Sequence, residues 1–146
     1  MQTVLYAIGF VVIALIVARL IPVDSEPYHV EPGQPDKRRS EVRLIGLDAP
    51  RFDAPAETVL SELIKIVRAD WNAGVVQGSA EEGMITVVAR SPVFGFRDFI
   101  TFKAVDEAVG SKLGVFARPR WNFYDWGANA KRLDRWLGEL EQTLRR

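Results

Sequence analysis

The first eighteen residues, Met1 to Ala18, carry no charged side chain. Within them Val4 to Ala18 is apolar on every face of a helix. Leu20 and Ile21 continue the run past Arg19 to Pro22, where a proline stops the helix. That is about 21 residues, or roughly 31 Å at 1.5 Å per residue, enough to cross a hydrocarbon core. Arg19 falls near the end of the run, where its long side chain reaches the headgroups. A cleaved signal peptide is the competing reading. It is disfavoured because Met1-Gln2-Thr3 has no Lys or Arg and no small-x-small site follows the run. A buried core helix would show a polar stripe, which is absent here. The expectation is a single-pass transmembrane anchor over residues 1–22, in contact with the lipid bilayer. Arg19 and Lys37-Arg38-Arg39 weight the C-terminal flank towards the cytoplasm. The count is small, so both orientations stay open.

Residues 23–40 hold Pro27, Pro32, Pro35 and Gly33 and few apolar side chains, namely Val23, Tyr28 and Val30. Such a stretch buries too little surface to fold alone and is expected to be an extended linker. His29, the chain's one histidine, is expected to be solvated within it.

Residues 41–146 read as one α+β domain. Val42–Leu47 suggests a short first strand. Asp53-Ala54-Pro55 announces a helix with Asp53 as N-cap. Val59, Leu60, Leu63, Ile64 and Val67 then follow at helical spacing to about Ala69. Four strand-like runs come next: Trp71–Val76, Met84–Arg90, Phe99–Val105 and Lys112–Arg118. Their short connectors demand antiparallel neighbours, since a parallel crossover needs a dozen residues or more. Phe99, Thr101, Lys103 and Val105 alternate with Ile100, Phe102 and Ala104, and the pattern does not say which set faces inward. From Asp125 to Thr143, Leu133, Trp136, Leu137 and Leu140 mark an amphipathic C-terminal helix packed on the sheet. The expected fold is therefore α+β: the N-terminal transmembrane helix, a helix, an antiparallel sheet of four to five strands, and a C-terminal helix.

The chemical inventory leans away from an enzyme. There is no cysteine, which excludes disulfides and thiolate chemistry. No metal site and no cofactor are expected. Glu81-Glu82 and Asp106-Glu107 lack the spacing of a calcium loop and read as solvated turns. Ser91 has no histidine to activate it. No glycine-rich phosphate loop is present, and no catalytic residues are assigned.

The densest segment is Arg118 to Gly127, with four aromatics and two arginines in ten residues. It reads either as the apolar plug between the last strand and last helix or as a surface for stacking on a ligand or lipid headgroup. The plug is favoured. Asp125 would cap the helix, and Gly127 would allow close packing in its first turn.

The formal net charge is zero, but its distribution is uneven. Residues 41–111 carry seven basic and eleven acidic groups, and residues 112–146 eight basic and four acidic. No nucleic-acid binding is expected. A local basic–aromatic surface of Arg118, Trp121, Tyr124, Trp126, Lys131 and Arg135, extended by Arg120 and Arg132, could meet an acidic protein partner or anionic lipid.

Asp125-x-Gly127-x-Asn129-x-x-Arg132-Leu133, running into an amphipathic final helix, resembles the ending of the domain-of-unknown-function family fourteen-ninety-nine. Arg120 falls at that family's motif arginine, and Phe96-x-Asp98 followed by Lys103 resembles its Phe-x-Asp-Asp segment. The likeness covers roughly residues 49–144. Asn122 replaces the motif glycine, Phe99 the second aspartate, and Phe116, Ala117 and Pro119 the expected Arg and Ser residues. The resemblance implies a family-motif set of Asp98, Arg120, Asp125, Gly127, Asn129 and Arg132, no known reaction, and a bacterial envelope protein, which the apolar N-terminal run would place in the inner membrane. The leading functional expectation is a membrane-anchored, non-enzymatic interaction or binding domain. The alternatives are an enzyme using a small carboxylate/Arg/Asn site, or a binder of small amphiphiles in a sheet–helix cavity.

Overall fold

The computed structural model describes residues 1–33, 42–91, 95–120 and 127–146, the side chain of Arg19 excepted. The chain begins with helix α1 (Gln2–Leu20), followed by a single 3₁₀ turn over Glu26–Tyr28. Then come strands β1 (Val42–Leu44) and β2 (Arg51–Phe52) and helix α2 (Ala56–Ala69). Four longer strands follow: β3 (Ala73–Ser79), β4 (Met84–Arg90), β5 (Arg97–Asp106) and β6 (Ser111–Pro119). Helix α3 (Ala128–Leu144) closes the chain.

The α+β class and the antiparallel sheet agree with the sequence, while the sheet is larger than expected. It has six strands in the order β1-β6-β5-β4-β3, with β2 also pairing β6. All pairings are antiparallel. β3 to β6 form a meander, as their short connections require.

Strand alternation assigns the faces. Ile85, Val87 and Ala89 of β4, Ile100, Phe102 and Ala104 of β5, and Leu113, Val115 and Ala117 of β6 point to one side. There they meet Val59, Leu60, Leu63 and Val67 of α2 and Leu133, Trp136 and Leu140 of α3. Among the described residues these side chains pack as one continuous cluster. Trp136 and Phe102, both almost fully buried, lie with ring centroids 6.4 Å apart and tilted. Each such side chain contributes about 1.5–3 kcal/mol by leaving water.

Helix α2 starts differently from the expectation. Its N-cap position is Pro55, and Asp53 does not cap it. The free N–H of Ala56 instead donates to the Asp106 carboxylate at the end of β5, at 2.7 Å. Asp106, exposed as expected, is thus also a distant cap for α2. Its neighbour Glu107 pairs with Arg51 at 3.1 Å and with Lys112 at 3.6 Å.

The opposite face of the sheet is also covered. Thr86, Phe99, Thr101 and Phe116 point away from the helices, and all four are buried. The cover is the segment expected to be a free tether. From Val23 to Gly33 it crosses this face as a strap, with Tyr28, His29, Val30 and Pro32 half-buried. Its remainder, residues 34–40, lies outside the described residues.

Among the described residues, no helix is long and apolar enough to cross a membrane. The membrane span expected from the sequence thus has no support from the fold itself.

Candidate functional site

Three members of the expected motif set come together where β5 meets α3. Asp98 stands at the start of β5 on the helix-facing side. Asn129 and Arg132 lie one turn apart at the start of α3 and therefore share a helix face. The Asn129 amide donates to Asp98 Oδ2 at 3.1 Å. Its own carbonyl oxygen accepts from Arg132 Nη1 at 2.8 Å. Arg132 Nη2 continues to the backbone carbonyl of Arg90 at 3.0 Å. Asn129 is wholly buried, and Asp98 and Arg132 are nearly so. The chain Asp98–Asn129–Arg132–Arg90 ties β4 and β5 to α3 through groups that would otherwise carry a large desolvation cost.

Arg132 also lines a cleft of about 400 Å³ between the α2–β3 turn and the first turns of α3. Asp70, Trp71, Asn72, Ala128, Lys131 and Arg135 complete its wall. Trp71 is 87% exposed. Asp70 is held from two sides, by an ion pair with Arg135 and by the Trp136 indole N–H at 3.2 Å. Asp98 does not line this cleft.

Gly127 precedes α3 as its N-cap with φ at 76°, a left-handed conformation that favours glycine. Among the described residues a Cβ there would meet nothing within 4 Å, and the backbone angle is what favours glycine at this position. Asp125, expected as the cap, lies outside the described residues, as do Trp121, Tyr124 and Trp126.

The single basic surface expected near the C-terminus divides in two. Lys131, Arg132 and Arg135 gather at the α3 cleft. Arg118 projects from β6 on the opposite face of the sheet, and Arg120 follows it there by alternation. The Arg118 guanidinium lies 4.4 Å from the Phe116 ring centroid and 5.1 Å from that of Tyr28. It also donates to the Tyr28 carbonyl.

That second face holds the residues sequence reasoning missed. The Tyr28 ring stacks on Phe99 with centroids 3.9 Å apart and planes 12° from parallel. Beside it runs a chain of hydroxyls. The Thr101 hydroxyl donates to the Tyr28 carbonyl at 2.7 Å, Thr86 and Thr101 are 3.3 Å apart, and His29 Nδ1 is 2.8 Å from Thr86. Each hydroxyl has one proton to give. Thr101 spends its proton on Tyr28, so Thr86 donates to Thr101 and His29 Nδ1 carries the proton given to Thr86. His29 is thus a bonded part of the strap and not the solvated linker residue expected. Lys103 pairs with Glu31, and Pro32 lies over Gly114. The signal in the sequence was the pair Thr86 and Thr101 with Phe99 and Phe116, too apolar a set for a naked sheet face.

Fold and site together define an α+β domain whose antiparallel sheet is covered by two helices on one side and by its own N-terminal strap on the other. Residues 25–140 match the family described as "Protein of unknown function (DUF1499)", and the chain belongs to that family. The matched region contains nearly all of the strap as well as the whole sheet. The fold is similar to the crystal structure of protein MLL2253 from Mesorhizobium loti, with a TM-score of 0.53 and 14% sequence identity. That likeness covers 70% of this chain and 94% of the other. No curated protein matches the sequence.

Proposed function

We propose that this chain is a membrane-anchored, non-enzymatic interaction domain, held at a bacterial inner membrane by α1. One observation carries the reading. Phe10, Val11, Val12 and Ile13 are consecutive in α1, and all four are exposed. Four successive residues sweep the whole helix circumference at 100° each, so α1 offers hydrocarbon in every direction. A helix of that kind lacks a polar face to turn to water. With Leu20 and Ile21 added, the apolar run reaches the length of a span, and Arg19 can extend to the headgroups.

Membrane extraction of the full chain tests the anchor. The wild-type protein should stay in the membrane pellet after carbonate washing, at its full unprocessed mass. Phe10→Lys/Ile13→Lys should move it to the supernatant, because a charge at a helix centre costs about 2.5–3.5 kcal/mol. Release of the wild type, or a shortened mature protein, would overturn the anchor.

The non-enzymatic half of the reading is supported by how Asp98, Asn129 and Arg132 are used. Their polar groups bond to one another and to the backbone, and the carboxylate is kept away from the neighbouring cleft. The Lys131/Arg132/Arg135 cleft favours an acidic segment of a protein partner. Lys131→Glu/Arg135→Glu should abolish capture of that partner while the fold persists.

A further inference from the structure

A second cationic group lies on the strap-covered face, at one end of the sheet. Arg90 ends β4 and stands directly opposite Arg97, the first residue of β5. Pro119 of β6 faces Asp98, so Arg120 comes next, opposite Arg97. Its N–H donates to the Arg97 carbonyl at 3.3 Å. The end of β4, the start of β5 and the residue just past β6 thus each contribute one arginine to a single rung, on one face.

Like charges placed directly opposite destabilise a sheet pair. Burial first, then the charges of Arg90 and Arg120, pull the Arg97 guanidinium below its ordinary value. It nevertheless stays protonated, as arginine does in proteins. Three guanidinium groups gathered at one rung offer an anion a fan of N–H donors.

The position of the rung identifies the anion's source. Arg97 Nη1 donates to the carbonyl of Ile21 at 3.1 Å. Ile21 is the C-cap of α1. The three arginines therefore sit where the apolar helix hands over to the domain. On the anchor reading, that point is the headgroup layer. Guanidinium groups match phosphate oxygens in pairs, which suits this layer.

We propose that Arg90, Arg97 and Arg120 form a docking surface for the phosphate groups of anionic phospholipids in the leaflet at the foot of α1. The proposal rests on the membrane-anchor reading. The rung sets the domain's distance and tilt on the bilayer, with α1 as tether and the arginines as a second contact.

The test uses the full chain reconstituted into phosphatidylcholine vesicles carrying trace acyl-labelled phosphatidylglycerol or acyl-labelled phosphatidylcholine. Energy transfer from the protein's tryptophans reports which lipid collects around it. The wild type should prefer phosphatidylglycerol, by roughly fivefold per arginine engaged. Arg90→Gln/Arg97→Gln/Arg120→Gln should bring the preference to parity, and Arg90→Gln alone should give an intermediate value. Arg90→Lys/Arg97→Lys/Arg120→Lys should keep a preference above parity, separating lost charge from a lost fold. Arg145→Gln/Arg146→Gln, at the far end of α3, should change nothing. The proposal is overturned if the wild type shows no preference or if the triple glutamine variant keeps it. It is also overturned if millimolar inorganic phosphate erases it, which marks a site for soluble phosphate. Failure of the wild type to enter the vesicles at all is the distinct failure of the anchor, and the proposal falls with it.

Discussion

The two faces of the sheet are covered by different physics. On one side, two amphipathic helices bury a continuous set of aliphatic and aromatic side chains, with Leu60, Leu63, Leu133, Trp136 and Leu140 almost wholly removed from water. That cover needs only the right hydrophobic periodicity, because dispersion and burial are not directional. On the other side, a strap of about a dozen residues, rich in proline, is held by named bonds: one ring stack, a hydroxyl chain, an arginine on a carbonyl and an ion pair. Such bonds are directional, and each contributes little net stability because water competes for the same groups. The helix face should set the global stability, and the strap face should open first.

The contrast breaks most decisively at Trp136. Trp136→Ala removes the largest fully buried side chain among the described residues and one of the donors to Asp70, which also accepts from Arg135 and the Asn72 N–H. It should cost about 3–5 kcal/mol, read as a lower denaturant midpoint for the full chain in detergent. A loss below about 1 kcal/mol would mean that the helix layer does not govern stability.

A smaller loss is expected within the same layer at the polar tie between α3 and β5. Asn129→Ala leaves buried Asp98 and Arg132 without a shared partner. The expected cost is about 1–3 kcal/mol, the range for unpaired buried polar groups. Calorimetry of the single and double variants with Arg132→Ala should show strong non-additivity, since both act in one network. Simple additivity would show that the bonds are independent.

On the strap face, Tyr28→Ala removes the stack on Phe99, worth about 0.5–1.5 kcal/mol beyond its buried area. Amide exchange should rise across residues 23–33 while that of β4 and β5 stays slow. A uniform rise throughout the sheet would show that strap and core open as one unit.

The same division explains what could be read from the sequence. Val59, Leu60, Leu63 and Val67, and later Leu133, Trp136 and Leu140, announced both helices because a 3.6-residue period is a local property of the chain. Strand β4 was legible to its ends, Met84 and Arg90, since Gly83 and Ser91 bound it. The two-residue β2 was not, because so short a strand has no period and exists through pairing with β6. The strap was missed for a deeper reason. Its composition is that of a tether, and its order comes from partners 52 to 90 residues away, such as Gln77 for Ser25 and Arg118 for Tyr28. The arginine rung was hidden in the same way. Arg90, Arg97 and Arg120 become neighbours only through the register of β4, β5 and β6. By contrast, Asp98, Asn129 and Arg132 were picked out by the resemblance to the family motif, and the fold brings all three together.

The smallest expected effect separates charge from packing within the strap. Lys103 and Glu31 form an ion pair whose side chains are 33% and 69% exposed. Exposed pairs of this kind contribute about 0–1 kcal/mol, and salt screens them. Lys103→Gln should therefore leave the denaturant midpoint nearly unchanged and raise amide exchange of residues 30–33 only slightly. High salt should have the same slight effect on the wild type and none on the variant. A larger response would place the strap's hold in its charges, whereas the expected one leaves it with the Tyr28–Phe99 stack and the His29–Thr86–Thr101 chain, neither of which salt can loosen.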